Sequence, residues 1–140
     1  MSIYLDTSVL IPTLVAEAAS ASVRTYLAAG QERLISDFAA VEVASALSRL
    51  VRERRFAAVE ATARLADFDT WRASTSSPAD LHAADARLAY TYVRRFELML
   101  RAPDALHLAI AHRNRAILVT LDRRLERAAR HLGIAVEVPK

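Results

Sequence analysis

Several residue types are rare or missing in this sequence of 140 residues, and each absence excludes a class of protein. Cysteine is absent, which excludes disulfides and thiolate metal sites and makes the reducing cytoplasm the expected setting. Glycine occurs only twice, so the glycine-rich phosphate-binding loops of nucleotide-binding modules are excluded. No apolar run approaches about 18 residues and no basic-plus-apolar leader opens the sequence, so we expect neither a membrane span nor export.

Lysine is also nearly absent, because Lys140 is the only one among the 19 basic residues and the others are arginine. The planar guanidinium group of arginine suits phosphate and carboxylate partners. The formal charge is +3, which favours nucleic acid as a partner only slightly. Apolar residues make up 54% of the sequence, which is typical of an ordered chain. We therefore expect residues 1–140 to form a single domain.

Short apolar runs alternate with helical patterns along the sequence. Strands are predicted at residues 3–5, 33–36, 116–120 and 134–138. Helices are predicted at residues 9–17, 18–29, 38–55, 57–72, 80–96, 104–115 and 122–132, and the polar cluster Ser74–Pro78 is interpreted as a turn with room for one short strand. Pro12 is expected in the first turn of its helix, where its missing N–H is tolerated. The alternation predicts an α/β fold with a small parallel sheet flanked by helices on both faces.

Acidic residues mark the starts of four predicted elements. Asp6 directly follows the first strand, and Asp122 follows the strand at 116–120. Asp104 follows Pro103 at a helix start, and Glu42 lies in the first turns of the long helix from residue 38. In a parallel sheet the helix starts lie at the carboxyl ends of the strands, where ligands bind in open α/β folds. The four acids are therefore expected at one edge of the molecule.

Each acid taken alone has a simpler interpretation. Aspartate is a common N-cap, and an acid in the first turn of a helix is favoured by the helix dipole. Capping does not explain why four acids would lie close together. Two carboxylates 5 Å apart repel each other by roughly 3 kcal/mol at an effective dielectric constant of 20. A cluster of four would need cations, and oxygen ligands without a usable histidine or cysteine indicate Mg²⁺ or Mn²⁺.

The sequence resembles a PIN domain, and within that family the VapC-type toxin ribonucleases of bacterial toxin–antitoxin pairs. The matching segments are Tyr4–Ser8, Ser36 with Glu42 six residues later, Asp104–Ala109 and Leu118–Asp122. The resemblance implies a PIN-like three-layer α/β/α sandwich. It further implies a Mg²⁺ or Mn²⁺ site in which the following residues act as ligands and catalytic groups: Asp6, Glu42, Asp104 and Asp122. Ser8 and Thr120 match hydroxyl residues that line this site in the family.

The resemblance also implies a function. Such a protein is an endoribonuclease toxin that hydrolyses tRNA, rRNA or mRNA, acts as a homodimer, and is inhibited by a cognate VapB-like antitoxin. In physical terms, a metal-activated water would attack the phosphate and leave a 5′-phosphate and a 3′-hydroxyl. Since acids cannot attract RNA, Arg101, Arg123 and Arg124 are expected to bind its phosphates. His107, one helical turn beyond Asp104, is expected to be packed or hydrogen-bonded within the fold.

Two other functions stay open on the residues alone. An aspartyl phosphotransfer domain, of the receiver or phosphatase type, would also place Asp6 and Asp122 after strands. A non-catalytic interaction scaffold would use the four acids only as caps, and metal would leave its stability unchanged. The apolar side formed by Leu65, Phe68 and Trp71 is interpreted as core, with a groove for a partner helix as the alternative.

Overall fold

A five-stranded parallel sheet lies at the centre of the computed structural model, which describes residues 1–140. The strand order is β3-β2-β1-β4-β5. The strands are β1 (Ile3–Leu5), β2 (Arg33–Ser36), β3 (Ser77–Ala79), β4 (Ile117–Val119) and β5 (Val136–Glu137). The helices are α1 (Thr7–Leu14), α2 (Ser20–Leu27), α3 (Asp37–Arg52), α4 (Ala58–Thr75), α5 (Ala83–Val93), α6 (Ala102–Arg113) and α7 (Arg123–His131), and a 3-10 turn spans Phe96–Leu98. The predicted fold class is confirmed.

Helices cover both faces of the sheet, and the alternation of side chains along β1 shows how the layers form. Ile3 and Leu5 point to one face, where they join a buried core with residues of α1, α2, α3 and α4. Tyr4 points to the other face and joins a core with residues of α5, α6 and α7. Because both faces are covered, β1 reads as a continuous apolar run rather than an alternating one. None of the helices is long and apolar enough to cross a membrane.

The chain order places the end of β1 at a special point of the sheet. After β1 the chain builds β2 and β3 on one side, and it then builds β4 and β5 on the other. The direction of winding therefore reverses at β1, which is the topological switch point where open α/β sheets bind ligands. Asp6 is the first residue beyond this strand.

Several helix boundaries differ from the prediction. Helix α1 begins at Thr7, so Pro12 lies in its interior rather than in its first turn, and the predicted position of Pro12 is wrong. The helix is short and starts early because Asp6 caps it, with Asp6 Oδ1 accepting from Val9 N at 3.3 Å. The sequence pattern predicts Asp37 as the cap of α3, but the helix is capped by Ser36, whose Oγ accepts from Ala39 N at 3.0 Å. Gly133 has a φ of +71° directly after the C-cap of α7, as its glycine identity predicts.

The segment between α4 and α6 departs furthest from the sequence pattern. The polar cluster contains an edge strand, β3, whose Pro78 pairs with Ile35 of β2. The predicted helix at 80–96 is shorter, and it begins at Ala83 because Asp85 accepts from the backbone N–H of His82 at 2.8 Å. A left-handed residue, Met99 with a φ of +54°, ends the 3-10 turn that follows. This connection leads into α6.

Candidate active site

Asp6 is the most completely enclosed of the predicted acids. Its side chain is 3% exposed at the carboxyl end of the central strand. Ser8 Oγ donates to Asp6 Oδ1 at 2.6 Å, and Thr120 Oγ1 donates to Asp6 Oδ2 at 2.6 Å. Burial raises the pKa of Asp6 above its usual value, and the hydrogen bonds from the two hydroxyls oppose that effect only in part. The carboxylate therefore lies where a positive charge would be stabilising.

The two predicted hydroxyls connect the ends of β1 and β4. Ser8 Oγ lies 3.3 Å from Thr120 Oγ1, and it also accepts from the backbone N–H of Leu121 at 2.8 Å. Thr120 Oγ1 in turn accepts from the backbone N–H of Asp122 at 3.0 Å. These bonds fix the loops after both strands against the Asp6 carboxylate. The structure thus places both hydroxyls in contact with Asp6, and their role in lining a metal site stays a prediction.

Asp104 is buried at the start of α6. It occupies the third position of the helix, where its Oδ2 accepts from the backbone N–H of Arg101 at 3.1 Å. The guanidinium Nε of Arg101 lies 3.5 Å from the same oxygen. Asp104 therefore acts as a capping residue in this structure and has an arginine beside it, and Arg101 is exposed to solvent on its other side.

Glu42 lies on α3 and faces α1 and α6. Thr7 Oγ1 donates to Glu42 Oε1 at 2.7 Å, and His107 Nε2 of α6 forms a short hydrogen bond with the same oxygen. Burial alone would raise the pKa of Glu42, but the bonds from His107 and Thr7 and the charge of Arg101 lower it overall. Glu42 is therefore held as a carboxylate. A cavity of about 280 Å³ opens beside it, lined by Thr7, Glu42, Ser45, Ala46, Arg49 and Arg52.

Asp122 is the N-cap of α7. Its Oδ1 accepts from the backbone N–H groups of Arg124 at 2.8 Å and Leu125 at 3.1 Å. The sequence allows two roles for Asp122, a helix cap or a metal ligand, and the structure shows the cap. Arg123 and Arg124 are exposed in the first turn of the same helix.

Intermediate groups connect three of the four acids, while Asp104 contacts only Arg101. Asp6 and Asp122 are linked by Thr120, and Glu42 reaches the Asp6 loop through Thr7. The structure contains no group of three or more Asp, Glu, His or Cys side chains close enough to hold one metal ion. The position of the acids at one edge of the molecule and their assignment as a shared set of metal ligands both stay predictions.

His107 is the residue whose connections the sequence did not indicate. It is 3% exposed, and its Nδ1 lies 2.7 Å from the hydroxyl of Tyr4. The ring packs against Phe38, with the ring centroids 4.9 Å apart. Its position one helical turn after Asp104 was the only available signal, because the partners Tyr4 and Glu42 are 103 and 65 residues away in sequence. The expectation of a buried, hydrogen-bonded histidine agrees with these contacts.

Comparison with known proteins identifies the family of this chain. The PIN domain model matches residues 3–131. Ribonuclease VapC46 of Mycobacterium tuberculosis is 33% identical over 99% of this chain and 98% of its own length. The crystal structure of VapC20 from M. tuberculosis, described as a toxin that cleaves the sarcin-ricin loop, has a TM-score of 0.71 at 18% identity and covers 90% of this chain and 94% of its own. A chain of the VapBC2 complex from Rickettsia felis, bound to a promoter DNA fragment, has a TM-score of 0.72 at 16% identity, with full coverage of both chains. The chain belongs to the PIN-domain family, and its similarity to these proteins places it with the VapC-type members.

Proposed function

We propose that this protein is a toxin ribonuclease of the VapC type, which hydrolyses RNA phosphodiester bonds with the help of Mg²⁺ or Mn²⁺. The observation that carries the proposal is the buried carboxylate of Asp6, held at the switch point of the sheet in a chain of the PIN family. A relative of 33% identity that carries the name ribonuclease supports the reaction class. The receiver-like alternative has no comparable support, because the family match is to PIN domains.

The chemistry of the donor groups fits a hard divalent cation. Asp6, Asp104, Glu42 and Asp122 offer only carboxylate oxygens, and hydroxyl groups lie between them. A bound cation would supply an activated water and neutralise charge on the leaving oxygen. Burial raises the pKa of Asp6, so a nearby positive charge would favour its ionised form. We assign Asp6 and Asp104 as the principal ligands and Glu42 and Asp122 as the others.

The arginines would bring RNA to this acidic edge. Arg101 lies beside Asp104, and Arg123 and Arg124 begin α7 next to Asp122. Arg49 and Arg52 line the cavity beside Glu42. Phosphate contacts dominate the affinity of proteins for nucleic acid, so these five residues are the proposed contacts for the RNA backbone on either side of the cleaved bond.

Cleavage of a mixed RNA pool in the presence of Mg²⁺, Mn²⁺ or EDTA tests the proposal. We expect cleavage only with a divalent cation, with 5′-phosphate and 3′-hydroxyl ends, and loss of cleavage in Asp6→Asn. Glu60→Gln, on α4 and paired with Arg64, is the matched control and should cleave at the wild-type rate. Cleavage that persists in EDTA, or in Asp6→Asn at the wild-type rate, would contradict a metal-dependent mechanism.

A VapB-like antitoxin is the proposed protein partner, and one cavity offers a place for it. The cavity has a volume of about 660 Å³ and lies between α1, α2 and α4. Its lining includes Phe68 and Trp71, the apolar residues predicted as core or partner groove, and three arginines at positions 24, 33 and 64. The guanidinium carbon of Arg33 lies 5.9 Å from the Trp71 ring centroid, and its buried Nε has no hydrogen-bond partner. An antitoxin segment with an apolar anchor and a carboxylate would complement this lining.

Growth of cells that express the toxin tests this assignment. We expect the protein to arrest growth and co-expression of its VapB-like antitoxin to restore it. Trp71→Ala should weaken the complex by about 2 kcal/mol, as truncation of a buried aromatic anchor typically does, while RNA cleavage stays unchanged. If the amount of antitoxin that rescues cells expressing wild type also rescues cells expressing Trp71→Ala, the antitoxin binds elsewhere.

A further inference from the structure

Behind Glu42 a row of buried hydrogen-bonding groups crosses the molecule from β2 to α6. Ser36 Oγ lies 2.8 Å from the hydroxyl of Tyr4, and that hydroxyl lies 2.7 Å from His107 Nδ1. The other ring nitrogen of His107 bonds to Glu42 Oε1. Ser36 and Tyr4 are fully buried, so each group depends on its neighbours in the row for hydrogen bonds.

Counting the hydrogen atoms in this row shows which group donates in each hydrogen bond. Ser36 Oγ accepts from the backbone N–H of Ala39 at 3.0 Å, and Tyr4 is its only other partner. If Ser36 donates to Tyr4, then Tyr4 donates to His107 Nδ1, and every hydrogen in the row has an acceptor. The opposite direction would leave the buried Ser36 hydroxyl hydrogen without an acceptor. Burial raises the pKa of Tyr4, which keeps the phenol protonated and able to donate.

His107 is consequently a donor toward Glu42. With Nδ1 occupied as an acceptor, the ring proton resides on Nε2 and points at Glu42 Oε1. Thr7 Oγ1 donates to the same oxygen at 2.7 Å. The second oxygen of Glu42, Oε2, has no hydrogen-bond partner within the protein. One oxygen is thus held by two donors, while the other is left for a ligand.

The surroundings prevent the ring of His107 from turning away. Phe38 packs against it at 4.9 Å and Tyr4 at 5.7 Å between ring centroids, and both contacts are tilted. Because the ring is 3% exposed, water cannot replace its partners. This is the arrangement that supporting groups show around metal ligands, where a fixed donor orients a carboxylate for the ion.

We propose that His107 is a positioning residue of the active site: Ser36 and Tyr4 fix it as a hydrogen donor, and it orients Glu42 so that Oε2 is presented to the divalent cation. This role rests on the proposed metal-dependent function. It goes beyond the packed or hydrogen-bonded role expected from the sequence, because it assigns His107 an effect on cation affinity that acts through Glu42.

Two measurements on the complete chain without RNA test the role. Imidazole ¹⁵N spectra should show the Nε2–H tautomer of His107 at neutral pH, and Tyr4→Phe should disturb it. Calorimetric titration with Mn²⁺ should give an affinity lowered about 10- to 100-fold in His107→Leu, the range reported for lost supporting groups. His107→Gln places an amide donor near the position of Nε2 and should restore most of that affinity. Val23→Ala, a core change outside this row, controls for general destabilisation and should leave Mn²⁺ affinity unchanged.

The outcomes separate the inference from the function on which it rests. If wild type binds Mn²⁺ and His107→Leu binds it equally well, the positioning role is overturned while the metal-dependent function stands. A His107 ring protonated on Nδ1 would also overturn it. If wild type binds no Mn²⁺ and cleaves RNA in EDTA, the metal-dependent function itself fails, and the positioning role fails with it.

Discussion

At the scale of single residues, Asp6 carries the strongest conflict between burial and charge. Its carboxylate is enclosed among Ser8, Thr120 and the start of α1, and no cationic side chain forms an ion pair with it. Burial raises its pKa, which means that folding favours the protonated form. The three hydrogen bonds that it accepts, one of them from Val9 N, orient the group without removing this cost.

The conflict predicts a pH dependence of the stability without metal. A carboxyl group with a raised folded-state pKa contributes stability fully below the unfolded pKa, which is near 3.8, and loses that contribution as the pH rises through the folded value. Asp6→Asn cannot ionise, so in EDTA we expect it to unfold at a higher temperature than wild type at pH 7 and at a similar temperature near pH 3.5. Thermal unfolding at both pH values measures this. Lower stability of Asp6→Asn at pH 7 would show that the hydroxyl contacts outweigh the cost of the buried charge.

The sequence could identify the acids but not their supporting groups. Asp6, Asp104 and Asp122 stand at helix starts, and that position is readable because caps and strand ends leave local signals. Tyr4 and His107 leave none, since each looks like an ordinary core residue and their contact spans 103 positions. Side-chain pairing across the fold is set by the packing of α6 on the sheet, which local periodicity does not encode.

At the scale of elements, an ion pair between α5 and α6 accounts for the difference between the predicted and the observed start of α5. Asp85 of α5 is 1% exposed, and Arg113 of α6 donates to it through Nε at 2.7 Å and Nη2 at 3.0 Å. Arg113 also donates to the backbone carbonyl of Asp80. These bonds join the start of α5 to the end of α6, so that the predicted helix at 80–96 begins only at Ala83.

Removal of this pair should destabilise the fold. Burial alone would raise the pKa of Asp85, but the bonds from Arg113 and the His82 backbone lower it overall. Its contribution to stability is therefore present above the unfolded pKa and is lost as the pH falls through the lowered folded value. We expect Asp85→Ala to lower the free energy of unfolding by about 3 kcal/mol at pH 7, because Arg113 loses its buried partner. Urea unfolding at pH 7 and pH 3 measures both effects.

Asp80→Ala is the matched control, because Arg113 contacts the carbonyl and not the carboxylate of Asp80. This variant should change stability by less than about 0.5 kcal/mol, as exposed substitutions usually do. Equal losses in the two variants would mean that the Asp85 ion pair is not the interaction that joins the helices.

The strand β3 shows why an element can escape prediction. It consists of Ser77, Pro78 and Ala79, none of which favours a strand, and it lies at the edge of the sheet where proline is tolerated. Its conformation comes from pairing with β2 rather than from its own residues. The central strands β1 and β4 were predictable, since burial on both faces demands the apolar runs that the sequence displays.

At the scale of the whole molecule, we expect the acids and the arginines to share one edge. Arg123 and Arg124 follow Asp122, and both are exposed. If they bind phosphates, the double variant Arg123→Gln/Arg124→Gln should weaken binding of single-stranded RNA. The slope of log affinity against log salt should fall in magnitude by about 1.4, from roughly 0.7 per lost contact. Fluorescence anisotropy with Asp6→Asn as the background, which prevents cleavage, measures this.

The same helix supplies the control for that prediction. Arg127 and Arg130 lie further along α7, and Arg130 is paired with Glu126 at 2.9 Å. Arg127→Gln/Arg130→Gln removes the same net charge without altering the acidic edge. An equal change of slope in both double variants would indicate a diffuse attraction rather than contacts at the site.

Exposed apolar side chains around the 3-10 turn lead us to expect a homodimer. Tyr90, Phe96 and Met99 are 65%, 84% and 61% exposed, although a monomer gains nothing from displaying them. Leu98 between them is buried, which fixes the turn so that its two apolar neighbours face outward. We expect sedimentation velocity to show a dimer for wild type and a shift toward monomer for Phe96→Ser. Val59→Ser removes a side chain that is 79% exposed on α4 and should leave the dimer intact. A wild-type monomer at micromolar concentration, or a Phe96→Ser dimer as stable as wild type, would show that this surface serves another purpose.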